Sequence, residues 1–319
     1  MFDNRKILIV GDVMIDTYLF GNVDRISPEA PVPVVDVIIK QDKLGGAANV
    51  AMNIKELGGT PFLCSVIGSD TKCDTMFNIL STNKISTKYI SKVPTRITTN
   101  KTRIIGNNQQ MLRVDEEIIE NLNTNEFILL KNDIEKVLKN EDIEVILIQD
   151  YDKGIVNADI INLLTKKAKE LKIPILADPK NKNFNDYKNL TLFKPNFKEF
   201  KEGLNISATY RKELLEIGSQ LLHKKGIKYI FVTLSENGIF ISEKKGKKIT
   251  NKIVHGISRS VSDPSGAGDT VIAITSLLIE KEPIEKIAQI CNIAGGLVCE
   301  EIGVVPVDKD KLFEEMKNL

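Results

Sequence analysis

Short apolar runs and longer amphipathic stretches alternate along most of this chain. Ile7-Leu8-Ile9-Val10 ends in Gly11-Asp12 and reads as a buried parallel strand with polar side chains at its C-terminal end. Residues 62–67 form a second such strand, and Gly68-Ser69-Asp70 opens a helix after it. Past residue 124 the alternation becomes regular. It predicts helices over 127–138, 158–171 and 212–224, and strands over 144–148, 173–177, 190–193 and 229–233. Two apolar helices, 267–279 and 284–299, follow. Such β–α alternation predicts an α/β fold: a doubly wound, mostly parallel sheet covered by helices on both faces.

Two regions break the pattern. Pro28, Pro31 and Pro33 forbid a helix and suit an extended edge segment leading into a strand over 34–39. Residues 98–105 and 109–114 are polar and alternating, and they flank a turn at Gly106-Asn107-Asn108. These strands fit a small sheet outside the main one. Segments of about 17–40 and 95–115 are thus expected as a lid inserted into a single domain spanning 1–319. A lid over the strand ends would exclude water from what binds there.

Composition narrows the function classes. Lys+Arg is 44 and Asp+Glu is 43, so no global charge favours nucleic acid or an anionic membrane. The paired lysines 244–245 and 247–248 read as solvated loop faces. Cys64, Cys73, Cys291 and Cys299 form no CxxC pair and read as structural thiols of a reducing cytosol. With only His223 and His255, a multi-histidine zinc site is not expected. Nothing approaches the ~20 apolar residues of a membrane span. The start of the chain is polar and runs straight into a strand, so a soluble cytoplasmic protein is expected.

The candidate chemistry centres on Asp263-Pro264-Ser265-Gly266-Ala267-Gly268-Asp269. Three small residues put bare backbone N–H groups at the start of an apolar helix, where the helix dipole favours an anion. Asp269 stands in the first turn, placed to accept a proton from a substrate hydroxyl. The bland reading is a glycine-rich turn that simply starts a buried helix. Other polar groups recur at predicted strand ends: Asp12 (with Asp16 nearby), Asp150, Lys180, Asn196 with Glu199, and Thr233 with Ser235. On a doubly wound sheet these share one rim. Gly45 and Gly46 permit close backbone approach at a helix start, and Asn49 adds a donor and acceptors. There is no GxxxxGK[ST] loop and no GxGxxG turn after the first strand.

In these stretches the chain resembles the ribokinase, or PfkB, family of carbohydrate kinases. Gly45-Gly46 with Asn49 is similar to its first signature, Asn196-Phe197-Lys198-Glu199 to its NxxE motif, and 263–269 to its second signature. Residues 25–35 (RISPEAPVPVV), 44–53 (LGGAANVAMN), 108–115 (NQQMLRVD) and 150–154 (DYDKG) resemble the branch that phosphorylates D-glycero-D-manno-heptose 7-phosphate. The resemblance implies a ribokinase-like three-layer fold and ATP-dependent transfer to a sugar hydroxyl. It implies Asp269 as general base and the amides of Gly266, Ala267 and Gly268 as an anion hole. Asn196 and Glu199 would organise Mg²⁺ and the triphosphate partly through water, with Lys180 a partner for phosphate. Thr233, Ser235, Gly238 and Asn292 would lie along the nucleotide. Asp12, Asp16, Gly45, Gly46, Asn49 and Asp150 match sugar-binding positions. Asp263 matches a residue that helps hold a monovalent cation, K⁺. The lid would also serve as a homodimer interface.

Two departures from the family pattern stand out. Pro264 removes an N–H donor beside the cation position, while Ser265 keeps a hydroxyl. Asp152 stands where the heptose-phosphate branch usually carries glycine. The 319 residues contain no HxGH motif, so the nucleotidylyltransferase activity to which many such kinases are fused is not expected. Two alternatives stay open: a kinase of another sugar or nucleoside, and a sugar- or nucleotide-binding regulator without catalysis.

Overall fold

Gly11 and Asp12 mark the place where the chain leaves one sheet for another. The computed structural model describes residues 1–206 and 211–317. β1 (Lys6–Gly11) is followed after one residue by β2 (Val13–Ile26), which returns as β3 (Pro33–Gly46) into α1 (Ala47–Glu56). β4 (Thr60–Gly68), α2 (Thr71–Thr82) and β5 (Ile90–Val93) come next, then a second hairpin, β6 (Asn100–Gly106) and β7 (Gln109–Glu116). The alternation resumes with α3 (Thr124–Asn140), β8 (Val145–Gln149), α4 (Ala158–Leu171), β9 (Ile175–Asp178) and β10 (Leu192–Phe193). It continues through α5 (Phe197–Leu204), α6 (Arg211–Lys224), β11 (Tyr229–Thr233) and a hairpin, β12 (Ile239–Lys245) and β13 (Lys248–Val254). Helices α7 (Ala267–Leu278), α8 (Ile284–Cys299) and α9 (Lys309–Met316) complete the described chain.

Among the described residues the main sheet has nine strands, ordered β13-β12-β11-β10-β9-β8-β1-β4-β5. β1 lies between β4 and β8 and is parallel to both. Only the β11-β12-β13 end is antiparallel. The apolar run of β1 feeds both faces, as a doubly covered sheet requires. Ile7 and Ile9 pack with α1, α7 and α8, while Leu8 and Val10 pack with α3, α4 and α6. The result is the three-layer, doubly wound α/β fold that the alternation implies.

Local signals explain the element ends. Asn157 caps α4 by accepting the Ile160 N–H at 3.0 Å, and Lys172 closes that helix in the left-handed region at φ 57°. Asn107 and Asn108 both have positive φ, 50° and 64°, as a two-residue hairpin turn requires.

The smaller sheet has the order β3-β2-β6-β7. It starts at Val13 and ends at Gly46 and Glu116, so it is wider than the proline pattern and polar alternation predicted. The hairpin β12–β13 was not read from the sequence either. Its tip holds Lys245 opposite Lys248 around Gly246, so Lys245, Lys247 and Lys248 are exposed as expected but belong to an edge hairpin, while Lys244 is half-buried and donates to the His223 carbonyl at 3.2 Å. No helix among the described residues is long and apolar enough to cross a membrane.

Candidate active site

α7 begins where the sequence places it, and its start is open. Gly266 is the N-cap, in the left-handed region at φ 87°, and it makes no side-chain cap. Any other residue here would be strained, and its Cβ would meet the Asn49 amide at 3.3 Å and Val304 at 3.4 Å. Ala267 N–H donates to the Pro264 carbonyl at 3.4 Å, closing the turn. The resemblance counted that amide in the anion hole. The next two first-turn amides, Gly268 and Asp269, stand at a helix end with no side-chain cap. A Cβ on Gly268 would meet only the Lys194 ammonium, at 3.6 Å, so the space over this helix end is open.

Asp269 is 3% exposed and held by three donors. Asn49 Nδ2 donates to Oδ2 at 2.8 Å; Gln149 Nε2 and the Tyr151 hydroxyl donate to Oδ1 at 3.1 and 2.6 Å. A carboxylate offers about four lone-pair sites, so Oδ2 retains one for a substrate hydroxyl. Burial raises the Asp269 pKa to about 6. The Asn49 and Tyr151 hydrogen bonds oppose that rise, Asp178 adds to it, and the Lys194 charge lowers it. Such a group is mostly ionised at neutral pH yet basic enough to take a hydroxyl proton.

Lys194 is also 3% exposed, and its Nζ lies 2.9 Å from Asp178 Oδ2. Gln149 Nε2 reaches the same oxygen at 3.3 Å. β8, β9 and β10 are neighbours in the sheet, and their ends bring Gln149, Asp178 and Lys194 together. The Lys194 ammonium, paired with Asp178, thus lies beside two first-turn amides that carry no side-chain cap, an arrangement that suits an anion.

At the next strand end, Asn196 and Glu199 form a reciprocal cap on α5. Asn196 Oδ1 accepts the Glu199 N–H, and Glu199 Oε2 accepts the Asn196 N–H, both at 2.8 Å. Glu199 Oε1 is paired with Lys180, whose ammonium lies 5.1 Å over the Tyr151 ring. Thr233 ends β11 and bridges Asn196. Ser235 and Gly238 follow with φ of 54° and 89°, bracketing a tight turn. Asn292 Nδ2 donates to the Val254 and His255 carbonyls at 2.9 and 3.0 Å. It forms part of the wall of a cleft of about 310 Å³ lined also by His255, Ile257, Gln289 and Ile293.

The expected sugar positions divide into two groups. Asp16 is buried beside Gly45 and pairs with Arg103 of β6, so the small sheet delivers a charged pair to the rim. Gly46 caps α1 at φ 59°, which turns Asn49 toward Asp269 rather than into open space. Asp12 and Asp150 also hold neighbouring chain in place. The Asp12 carboxylate accepts the N–H groups of Tyr151, Lys153 and Ile155 at 2.7, 3.3 and 3.1 Å. Asp150 accepts from Asp152 N–H, Asn183 Nδ2 and the Tyr187 hydroxyl at 2.9, 3.0 and 3.0 Å. Burial, then the nearby Asp12 charge, raises the Asp150 pKa to about 7. Both acids serve the 151–155 loop that carries Tyr151. Their position at strand ends was legible, but the direction of their side chains depends on donors in distant segments. Asp263 likewise spends both oxygens on amides, Ser265 and Gly303, each at 2.9 Å.

Gln149, Tyr151, Asp178, Lys194 and Arg103 were not singled out for the site from the sequence. Lys194 had a signal: a lysine ending an apolar strand just before Pro195-Asn196 is a costly choice unless it is paired.

The model of the pfkB family carbohydrate kinases matches residues 4–310. The chain is similar to the bifunctional protein HldE of Methylobacillus flagellatus, 36% identical over 313 residues, 98% of this chain and 63% of that protein. The corresponding protein of Helicobacter acinonychis is 38% identical over 303 residues, 94% and 64% of the two chains. This chain therefore spans less than two thirds of these relatives. Among solved structures it is similar to phosphofructokinase-2 from Escherichia coli in complex with substrates and products, with a TM-score of 0.79 at 18% identity over 99% of each chain. Arabidopsis thaliana ribokinase complexed with ribose and ATP gives 0.72 at 16% identity, again over 99% of each chain. These likenesses carry the fold, and the family match over 4–310 carries more: the chain belongs to the pfkB family of carbohydrate kinases, ATP-dependent enzymes that phosphorylate sugars.

Proposed function

We propose that this kinase transfers the γ-phosphoryl group of ATP to the anomeric hydroxyl of D-glycero-D-manno-heptose 7-phosphate, giving the 1,7-bisphosphate. The observation that carries the chemistry is Asp269. It is a buried carboxylate, held by Asn49, Gln149 and Tyr151, in the first turn of a helix whose amides and the adjacent Lys194 suit a phosphate. The heptose part rests on the stretches 25–35, 44–53, 108–115 and 150–154, and on the similarity to HldE proteins over almost all of this chain.

In this reading the acceptor hydroxyl donates to Asp269 Oδ2, its proton passes to the carboxylate, and the oxygen attacks the γ-phosphorus in line. The Gly268 and Asp269 amides and Lys194 take up charge on the equatorial oxygens, and ADP leaves toward Asn196. The base is worth ~10²–10⁴ in rate. Among the described residues no three His, Cys, Asp or Glu side chains cluster as a metal site. That suits Mg²⁺ held mainly by nucleotide phosphates and water, with Glu199 and Asn196 beyond the water. Bound there, Mg²⁺ would neutralise phosphate charge. K⁺ near Asp263 belongs to the same reading and would share a carboxylate already accepting two amides; titration of K⁺ against a bulky monovalent cation tests it.

The small sheet acts as the lid in this proposal. It also leaves Val37, Ile38, Ile39, Leu112 and Val114 exposed, which supports a homodimer through that sheet, to be tested by mass in solution. The reaction is placed in the cytoplasm, where ATP is available. The decisive assay is ADP release with heptose 7-phosphate against ribose, fructose 6-phosphate and adenosine. Preference for the heptose phosphate by kcat/KM is the expected result, and equal or better use of another acceptor overturns the substrate assignment.

A further inference from the structure

Between the small sheet and the start of α7 runs one short loop, 302–304, gripped from both sides. From the small sheet, the Tyr18 hydroxyl accepts the Val304 N–H at 3.2 Å, and Lys43 Nζ donates to the Ile302 carbonyl at 3.2 Å. Lys43 lies 5.4 Å from the centre of the Tyr18 ring, so the two side chains form one unit. From the other side, Gly303 N–H donates to Asp263 Oδ2, and Asp263 Oδ1 accepts the Ser265 N–H, both at 2.9 Å. Val304 then packs against the Gly266 cap. Gly303 has φ 75°, and a Cβ there would press on the Tyr18 ring at 3.0 Å and the Lys43 ammonium at 3.1 Å. The loop has no slack on the small-sheet side.

We propose that Tyr18 and Lys43 are positioning residues for phosphoryl transfer. They hold loop 302–304 and, through Gly303 and Asp263, fix the turn 263–266 that presents the anion-hole amides. The inference rests on reading the small sheet as a lid. Closure of that sheet then does two things at once: it covers the sugar and it sets the amides. Neither residue touches the reacting atoms. Their effect passes from two parallel hydrogen bonds on the loop through two more in series, Gly303 to Asp263 and Asp263 to Ser265, and a displacement of the amides by a fraction of an ångström weakens transfer far more than binding.

The experiment uses Tyr18→Phe, Lys43→Met and Lys43→Arg in the full chain. Tyr18→Phe keeps the buried ring and removes one acceptor. The Tyr18→Phe/Lys43→Met double variant is expected to lower kcat about tenfold or more while ATP and sugar-phosphate dissociation constants stay within about twofold. Lys43→Arg restores most of the rate. In parallel, amide hydrogen exchange without substrates is expected to quicken in both 300–305 and 262–268 of the double variant, and to stay unchanged in 6–11. Faster exchange confined to 300–305, an unchanged kcat, or a loss carried wholly by KM overturns the proposal. The exchange measurement needs no turnover. A wild-type protein that phosphorylates no sugar phosphate therefore overturns the substrate reading and still leaves the coupling to be judged.

Discussion

The two sheets of this protein are built on opposite terms. In the main sheet, β8 is buried at every position and β1 at all but its first. In the small sheet, β7 is exposed at every position, and the middle of β3 is exposed as well. The first is a continuous apolar core that fixes its strand ends rigidly. The second has little core of its own and is held by its strand ladder and by ion pairs such as Lys101 with Asp115 and Glu117. Partly exposed ion pairs contribute little each, and such regions open locally at low cost. The site lies where the two meet. In the proposed function the core supplies Asp269, Gln149 and Lys194, and the small sheet supplies the buried Asp16 paired with Arg103.

That contrast can be broken by substitution. Asp269→Asn should fold and bind ATP while losing ~10²–10⁴ in kcat; a variant near the wild-type rate would remove the core's main contribution. Gly268→Ala should also fold, since its Cβ meets only Lys194, yet lose roughly 10²-fold in turnover by filling the space over the amides. The stability contrast is sharper still. Leu147→Ala in β8 should cost 2–5 kcal/mol in denaturant unfolding, at roughly the cavity scale, whereas Leu112→Ala in β7, 55% exposed, should cost no more than about 0.5 kcal/mol. Equal losses would mean the small sheet is as well packed as the core. The smallest effect is on pH. As the proposed base Asp269 must be ionised, so kcat/KM should fall tenfold per unit below about pH 6. Tyr151→Phe removes a donor that favours the ionised form, so the acidic limb should move to higher pH. A limb that stays put would deny Tyr151 any influence on the base.

The same contrast explains what the sequence could say. Core elements with one period were legible to the residue: 158–171 and 229–233 coincide with α4 and β11. The hairpin β12–β13 was hidden because its lysine-rich tip reads as loop, and β2 because its 14 residues change from buried to exposed midway. In the candidate site, 263–269 alone left Asp269 between a catalytic carboxylate and a plain helix start, and the strand-end residues with the family resemblance favoured the first; the structure adds that it is buried and held by three donors. The Asn196–Glu199 spacing drew notice through the resemblance, and the reciprocal cap it makes is local. Gln149 and Arg103 were not readable, because each acquires meaning only from a neighbouring strand, and the signal at Lys194 named no partner. Asp12 and Asp150 were placed at strand ends from the sequence, but the donors they meet, from 151–155 and 183–187, could not be read there.

The most direct measurement is a crystal structure with a non-hydrolysable ATP analogue and the sugar phosphate bound together. The account predicts the acceptor hydroxyl at hydrogen-bond distance, roughly 2.6–3.2 Å, from Asp269 Oδ2, with the γ-phosphate against the Gly268 and Asp269 amides and Lys194. An acceptor hydroxyl out of reach of that carboxylate, or a γ-phosphate lodged away from the start of α7, would contradict it.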